Sequence, residues 1–478
     1  MLDQTFSLGA VAAEAAERFG DHTAYVAPDG RRVSYRDLDQ RADEAAAGLH
    51  ARGVGEGDVI ALVLSQVPEY FVLYIAASRL GAITAGVNMR LSPAERAAVL
   101  AIAAPKLVVD DPHAVDELRV TGGRPPDLAA DPERPVAIVF TSGTTGVPKG
   151  AVFASRQLAF ITGVDTGGNW CGGGTTFAAT SFAHLGPMTK LPGTLMRGGT
   201  TYLLERWRAR DALRMMAEHR MTTCGGIPTQ VALMLQEPAF DTYDLSSVKA
   251  IVMGGGPATP ALVREARARF DAAVAIRYSC TEAGIGIGTA FDAPPEDAEV
   301  SVGRPHAGVE LDLRDVVDGV GEVCLRSPAV MSGYWRAPDQ TADAFTDDGF
   351  VRTGDLGWID DAGRLRLAGR AKEMYVRGGY NVYPMEVEAV LATHPAIADV
   401  AVAPRPDPVM GEVGVAFVVL REGSALPSRD ELREFAADRL ATYKLPEHVV
   451  EVDALPLTAM DKLDRRALAA WAAALAGR

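Results

Sequence analysis

Long uninterrupted hydrophobic runs are missing from this chain of 478 residues. The most membrane-like stretch, 59–78, is broken by Gln66, Pro68 and Glu69, and the uncharged stretch 166–189 is rich in Gly and Thr, so no membrane insertion is expected. Cysteine is scarce as well. Cys171, Cys224, Cys280 and Cys324 lie far apart without a C-x-x-C pair, which argues against a zinc site or a disulfide framework and suits a reducing compartment. Basic charge is outweighed, with 47 Lys and Arg against 62 Asp and Glu. The resulting net charge of −15 opposes any polyanion held by bulk electrostatics, so no nucleic acid partner is expected and anionic ligands must be gripped locally. The opening residues Met1-Leu2-Asp3 lack the basic and apolar segments of an export signal, and a cytoplasmic location is expected.

What is present is an ordinary globular composition, 48% apolar and 23% charged, in a length that suggests roughly three folding units at about 150 residues each. Helical and strand patterns alternate over 8–19, 34–51, 59–64 and 69–80, and again over 200–204, 210–220, 250–253, 260–270 and 275–278, predicting α/β layers. From 309 onward, short strands at 311–313, 321–325 and 365–367 are bounded by Gly, Asp and Pro, as in a small β-rich module. Beyond Gly369 the pattern is a compact α+β unit, with helices over 384–393 and 428–440 and strands over 400–403 and 415–420. The expected fold class is α/β, with a large N-terminal domain over 1–368 that includes the β-rich module, and a small α+β C-terminal domain over 369–478.

The strongest chemical signal is an apolar strand pattern, 136–140, running into Thr141-Ser142-Gly143-Thr144-Thr145-Gly146-Val147-Pro148-Lys149-Gly150. Glycines let backbone N–H groups approach an anion, hydroxyls donate further hydrogen bonds and the lysine adds a point charge, a combination suited to a polyphosphate. It is not a Walker A loop. Pro148 stands where the second Gly belongs, and Gly150 where a Ser or Thr would hold magnesium. The residues 151–154 read as extended, so the loop lies between strands rather than capping a helix. Clusters of Ser, Thr and Gly are more often plain turns, and the whole ten-residue combination is what favours phosphate here.

This run resembles the phosphate loop of the adenylate-forming superfamily, which comprises acyl-CoA synthetases, luciferases and nonribosomal-peptide adenylation domains. The resemblance continues in the family's order through Tyr278-Ser279-Cys280-Thr281-Glu282, Gly333-Tyr334-Trp335, Arg352-Thr353-Gly354-Asp355, Gly369-Arg370-Ala371-Lys372-Glu373 and the segment 456–466 with Lys462. The look is closest to bacterial fatty-acid or aryl-acid CoA ligases, which implies a place in fatty-acid or related acid metabolism. It implies ATP, magnesium and coenzyme A as cofactors and a small carboxylic acid as substrate. The acid would first become an acyl-adenylate with release of pyrophosphate, and the acyl group would then pass to the thiol of coenzyme A.

Carried over residue by residue, the resemblance gives Thr141, Ser142, Gly143, Thr144, Thr145 and Lys149 to the phosphates, with Thr281 at the α-phosphate and Glu282 on magnesium. Gly254, Gly255 and Gly256 would let a flat base approach, Tyr278 would stack on adenine, and Asp355 with Arg370 would hold the ribose. Lys462 would be the catalytic cation between carboxylate and α-phosphate. Asp461 stands beside it where Gly is usual, which adds a negative charge and removes a permissive backbone position. The C-terminal domain would be mobile, hinged at Lys372, and Gly378 and Gly379 in 376–381 would border the pantetheine passage after it rotates. Taken alone, each of these residues has an ordinary alternative: a cap for Glu282, a turn for Asp355, a surface ion pair for Arg370, a solvated side chain for Lys462.

His184 in 181–186 matches a pocket-lining position, with further walls expected from 222–228, 254–257 and 284–288. No carboxylate is expected there to hold a substrate ammonium, which disfavours amino acids, and Ser279 in place of a common Gly would narrow the pocket toward medium-chain or aromatic acids. The basic cluster Arg206, Arg208 and Arg210 around Trp207 reads as a solvated approach to a helix more readily than as a coenzyme A phosphate site. Cys224 and Cys280 read as small buried groups. An acceptor other than coenzyme A, such as a carrier-protein thiol, stays open, as does an inactive nucleotide-binding relative, and so does a homo-oligomer.

Overall fold

The computed structural model describes residues 6–141, 148–178, 180–458 and 462–475. Its largest sheet has six strands in the spatial order Gly333–Tyr334, Lys149–Ala154, Pro135–Thr141, Ile83–Gly86, Val59–Leu62 and Leu107–Val109. The four strands between residues 59 and 141 run parallel. Val59–Leu62 and Ile83–Gly86 are buried at every position, which is why they carry no polar alternation. Between them the helix Pro68–Arg79 is buried all round except at Arg79. The membrane-like character of 59–78 is therefore that of a core strand and a core helix. Each large apolar side chain placed there contributes about 1.5–3 kcal/mol. No helix among the described residues is long and apolar enough to cross a membrane.

Local chemistry sets the helix ends. Ser7 accepts from the N–H of Ala10 to start Leu8–Phe19, and Ser34 and Asp37 form a capping box at the start of Tyr35–Ala51. In the C-terminal region Ser428 and Glu431 do the same for Arg429–Ala436. That helix stops short of the expected residue 440, where the N–H groups of Ala437 and Arg439 bond three residues back, to the carbonyls of Glu434 and Ala436, and the last turn tightens.

A second sheet orders Thr223–Gly226, Ala250–Gly254, Ala273–Tyr278, Ile287–Gly288 and Arg304–Pro305, with the first three parallel. A third joins Arg32–Ser34, Thr23–Val26, Thr200–Tyr202 and Thr175–Phe177. The expected β-rich module is an antiparallel sheet of Glu310–Val317, Val320–Arg326, Val351–Ile359 and Leu365–Arg370. The strand Leu365–Arg370 carries this sheet past residue 368. The remaining sheet contains Tyr380–Val382, Tyr375–Arg377, Gly411–Leu420 and Ile397–Asp407, with His448–Glu451 added beside Gly411–Leu420.

Three ladder registers position chemically important side chains. Thr141 lies opposite Lys149, so the hydroxyl- and glycine-rich segment is the connection of an antiparallel pair. Asp355 lies opposite Arg370, and Gly254 lies beside Arg277. A side chain at Gly150 would meet Ile138 Cγ2 at 2.7 Å, so this glycine answers to packing across the ladder and not to a metal-binding hydroxyl position.

Candidate active site

A cavity of about 1680 Å³ is walled by strands of four of these sheets and closed on one side by Lys462. The parallel strands of the second sheet deliver Gly254 and Tyr278 to it from their C-terminal ends, the usual place for a ligand in an open α/β sheet. Thr141, Lys149, Gly254, Gly255, Tyr278, Thr281, Glu282, His184, Arg370 and Lys462 all line it, ten positions that the sequence reading had singled out across 322 residues of chain.

Their partners give the site its geometry. The phenol of Tyr278 donates to Asp355 Oδ2 at 2.8 Å, and Arg370 Nε lies 2.9 Å from Asp355 Oδ1. Asp355 is 7% exposed and sits just behind the wall formed by Thr353 and Gly354. Burial raises the pKa of its carboxyl, against the opposing pull of Arg370 and the Tyr278 hydrogen bond. The hydrogen bond to Asp355, itself paired with Arg370 across its ladder, anchors the Tyr278 phenol from a neighbouring sheet. On the opposite side Tyr334 donates to Glu282 Oε1 at 2.7 Å, and Lys149 Nζ stands 4.8 Å from the centre of the Tyr334 ring. Tyr334 reaches this spot because Gly333–Tyr334 pairs with the strand that begins at Lys149.

Lys462 stands next to Leu463, which bridges Leu457, and its carbonyl accepts from the N–H of Thr458 at 2.7 Å. Its Nζ lies 3.9 Å from where a Cβ on Gly255 would stand. Just beyond, Asp464 caps the helix Arg465–Ala474, and Arg465 grips Glu388 with both of its terminal nitrogens. Desolvation and then the Arg370 guanidinium lower the pKa of Lys462, while Asp355 opposes them.

His184 precedes the helix Leu185–Arg197 and lies within 3.4 Å of the Asn88 side-chain amide. Desolvation, followed by Lys462 and Arg90, lowers its pKa to about 4. Unfolding exposes it to an ordinary value near 6.5, so the unfolded chain takes up the proton first and stability is lost as pH falls from about 6.5 to about 4. We expect His184→Asn to lose less stability than the parent between about pH 7 and about pH 4.5, read from urea midpoints. Equal losses would mean that this imidazole does not stay neutral in the fold.

Other sequence-derived positions fall outside the cavity wall. Gly256 does not line it, nor do Gly378 and Gly379, which form the two-residue turn between Tyr375–Arg377 and Tyr380–Val382. Both have positive φ, +56° and +87°, as such a turn requires. Ser142, Gly143, Thr144, Thr145 and Asp461 lie outside the described residues. Of the basic cluster, Arg206 and Trp207 reach the cavity, whereas Arg210 pairs with Glu237 at 3.0 Å. Burial pushes the Cys224 thiol up to about 12, so it is an inert packing group.

The four expected wall segments carry no carboxylate, but the cavity wall extends beyond them to residues that do. Asp165 is among them, but Arg197 at 2.6 Å and Lys190 at 3.4 Å already engage it. Glu205, Glu322 and Asp343 also line the cavity. The sequence reading also missed Asn88, Lys190, Arg277 and His306. Arg277 directly precedes Tyr278, but alternation along a strand puts neighbouring side chains on opposite faces, so only the curvature of the wall reveals both.

The arrangement matches known proteins. The family described as "AMP-binding enzyme" matches over residues 12–335, and "AMP-binding enzyme C-terminal domain" over 386–462. A fatty acid–[acyl-carrier-protein] ligase, ScoC, from Streptomyces coeruleorubidus is 31% identical, over 93% of this chain and 93% of its own. A 3-[(3aS,4S,7aS)-7a-methyl-1,5-dioxo-octahydro-1H-inden-4-yl]propanoyl:CoA ligase from Mycobacterium tuberculosis is 34% identical, over 93% of this chain and 95% of its own. Among solved structures, the amide bond synthetase McbA from Marinactinospora thermotolerans superposes with a TM-score of 0.84 at 28% identity, covering 97% of this chain and 99% of that one. The chain belongs to the AMP-binding enzyme family of adenylate-forming enzymes, and its fold is theirs.

Proposed function

We propose, with that family membership as the premise, that the protein is an ATP-dependent, AMP-forming acid:CoA ligase. The observation that carries the reading is the entry of Lys462, from far along the chain, into the cavity that already holds Lys149, Glu282 and the Tyr278–Asp355–Arg370 group. In the first step a carboxylate oxygen attacks the α-phosphorus of ATP, the bond to the bridging oxygen breaks, and pyrophosphate leaves with the electron pair. Two anions must meet for this, so positioned cations lower the barrier by favouring the charge that builds up in the transition state. The ammonium of Lys462 would lie between carboxylate and α-phosphate, Thr281 would donate to the α-phosphate, and Lys149 would face the outgoing pyrophosphate.

Asp355 has acceptor capacity beyond its bonds to Tyr278 and Arg370, since each carboxylate oxygen carries two lone pairs, and this fits a ribose diol. Magnesium fits as an ion shared with ATP. Among the described residues no three His, Cys, Asp or Glu side chains converge on a point, which rules out a cage of protein ligands there. A hard cation that keeps water and takes phosphate oxygens needs only one or two carboxylates, and Glu282 supplies one. Bound there, it would neutralise phosphate charge.

In the second step the small C-terminal domain, taken as 369–478 and hinged at Lys372, would turn so that Gly378 and Gly379 border the thiol's approach. The thiolate of coenzyme A would attack the acyl carbon, and AMP would leave. The cysteines are all free thiols, in keeping with the cytoplasm that this reading assigns. A second reading, transfer to a carrier-protein thiol or to an amine, draws support from the carrier-protein ligase and the amide bond synthetase among the relatives.

Pyrophosphate release with a panel of acids, followed by mass spectrometry of the product with coenzyme A, tests the reading. Acyl-CoA supports it; adenylate formed without any thioester moves the assignment to the second reading, and no pyrophosphate with any acid removes both. We further expect Glu282→Gln to need more magnesium for the same rate, because an amide is a poorer ligand for a hard cation. Asp355→Ala should instead raise the KM for ATP, since Tyr278 and Arg370 lose their common partner along with the ribose. Identical responses of the two variants to magnesium would contradict separate roles.

A further inference from the structure

The helix Leu185–Arg197 starts at His184, whose titration responds to Lys462, and it presents Gly186, Lys190, Thr194 and Arg197 to the cavity. These positions, spaced four, four and three apart, form one stripe. At 1.5 Å per residue the stripe carries the wall from His184 to Lys190 over about 9 Å, away from the reacting end. Arg277 and His306 complete the wall around Lys190.

Charge does not balance at this end of the cavity. Lys190, Arg197 and Arg277 are cations; Asp165 pairs directly with the first two and acts on Arg277 from beyond salt-bridge distance, so one carboxylate stands against three positive charges. Arg277 has no carboxylate of its own within salt-bridge distance among the described residues. Its Nη1 donates to the carbonyls of Thr289 at 2.6 Å and Ile276 at 3.0 Å, and the group stands 5.4 Å from the Phe291 ring centre. Those bonds fix the plane of the guanidinium while Nε and Nη2 make no hydrogen bond among the described residues. An imidazole carries no negative charge that could balance Arg277; desolvation, then Arg277 and Lys190, lower the pKa of His306 against the pull of Asp165, which disfavours a further positive charge here. A half-buried guanidinium oriented by one nitrogen, with an edge left over, is suited to a planar anion that arrives with the ligand.

We propose that the acid is a dicarboxylic acid, whose second carboxylate is held by Arg277 and Lys190 along the helix from the carboxylate that is activated. This rests on the acid-activation reading above and adds the substrate class. Asp165 offsets one of the three positive charges at this end, and the remaining excess is what a second carboxylate would meet.

The test compares succinate, adipate and suberate with butanoate, hexanoate and octanoate, as kcat/KM for pyrophosphate release, alongside calorimetric binding of the same acids. In the parent protein one diacid should exceed its matched monoacid by about tenfold or more, the usual size of a charge-assisted hydrogen-bond pair. Arg277→Gln should bring that ratio down about tenfold, Lys190→Met should lower it as an independent variant, and Arg277→Lys should restore part of it. The ratio is taken within each protein, so a loss of folded material cancels. A parent that prefers the monoacids, or a ratio that neither Arg277→Gln nor Lys190→Met changes, overturns the proposal. Diacid binding that depends on Arg277 without pyrophosphate release supports the subsite and overturns the activation reading. Monoacid turnover with no diacid binding does the reverse.

Discussion

Replacing Lys462 by alanine is expected to lower adenylate formation by roughly ten- to a thousandfold, about 1.4 to 4 kcal/mol of transition-state stabilisation. On the proposed reading the cation would stand where a carboxylate approaches a phosphate, in a cavity whose walls reduce the screening that water would give. Its neighbours do not replace it: Arg370 is committed to Asp355 at 2.9 Å, and Lys149 lies against the Tyr334 ring. Lys462 is tied at its own carbonyl by the N–H of Thr458 and stands next to the Leu457–Leu463 bridge, which favours an ammonium positioned in advance. Thioester formation from supplied acyl-adenylate should survive the substitution, because the phosphate chemistry is then complete. Pyrophosphate release and acyl-CoA formation measured separately check this. Release at the parent rate would show that the cation takes no part in the first step.

Gly379→Trp is expected to act on the other half of the reaction and to abolish steady acyl-CoA production. In the present arrangement Gly379 tips a hairpin away from the cavity, with no heavy atom within 4 Å of the place where a Cβ would stand. The Trp side chain there leaves the backbone into open space, although at φ +87° it strains the turn by about 1–3 kcal/mol. Adenylation should therefore persist. After rotation of the small domain the same indole would obstruct the pantetheine passage, so pyrophosphate should appear as a burst while acyl-adenylate stays on the enzyme. Acyl-CoA made at the parent rate by the Trp variant would remove the passage from this hairpin. A parent protein that forms adenylate but no thioester with coenzyme A would point to another acceptor.

Much of this was legible in the sequence because it is local. The apolar run into Thr141, the glycines after Met253 and the Thr281–Glu282 pair are each read within a few residues, and strands deliver them to one place. The registers were not legible. Tyr278 and Asp355 are 77 residues apart, and nothing near either announces that the phenol donates to that carboxylate. Asp355 and Arg370 were both singled out, but their pairing across an antiparallel ladder depends on a turn at 360–363 that sets the offset. Tyr334 was seen as part of a motif without a role, since its place beneath Lys149 comes from strand pairing. Lys190 and Arg197 look like ordinary surface charges in sequence. The helix packs them inward because Met188, Leu191, Leu195 and Met196 are buried and turn that stripe toward the cavity.

The cross-strand pair of Asp355 and Arg370 also bears on how such proteins can be recombined. Arg370 is the last residue of its strand, and Ala371 is tied back by its N–H to the carbonyl of Gly354 at 3.0 Å. A splice made after residue 371 leaves both sides of this ladder with one parent, and only the residues from Lys372 onward are exchanged. A splice after residue 368 divides the ladder, so that an aspartate from one ancestor must find its arginine in another. The seam three residues further on is thus the one at which a graft can inherit this pair whole, and a tail from a different lineage can be fitted to it as an interchangeable part.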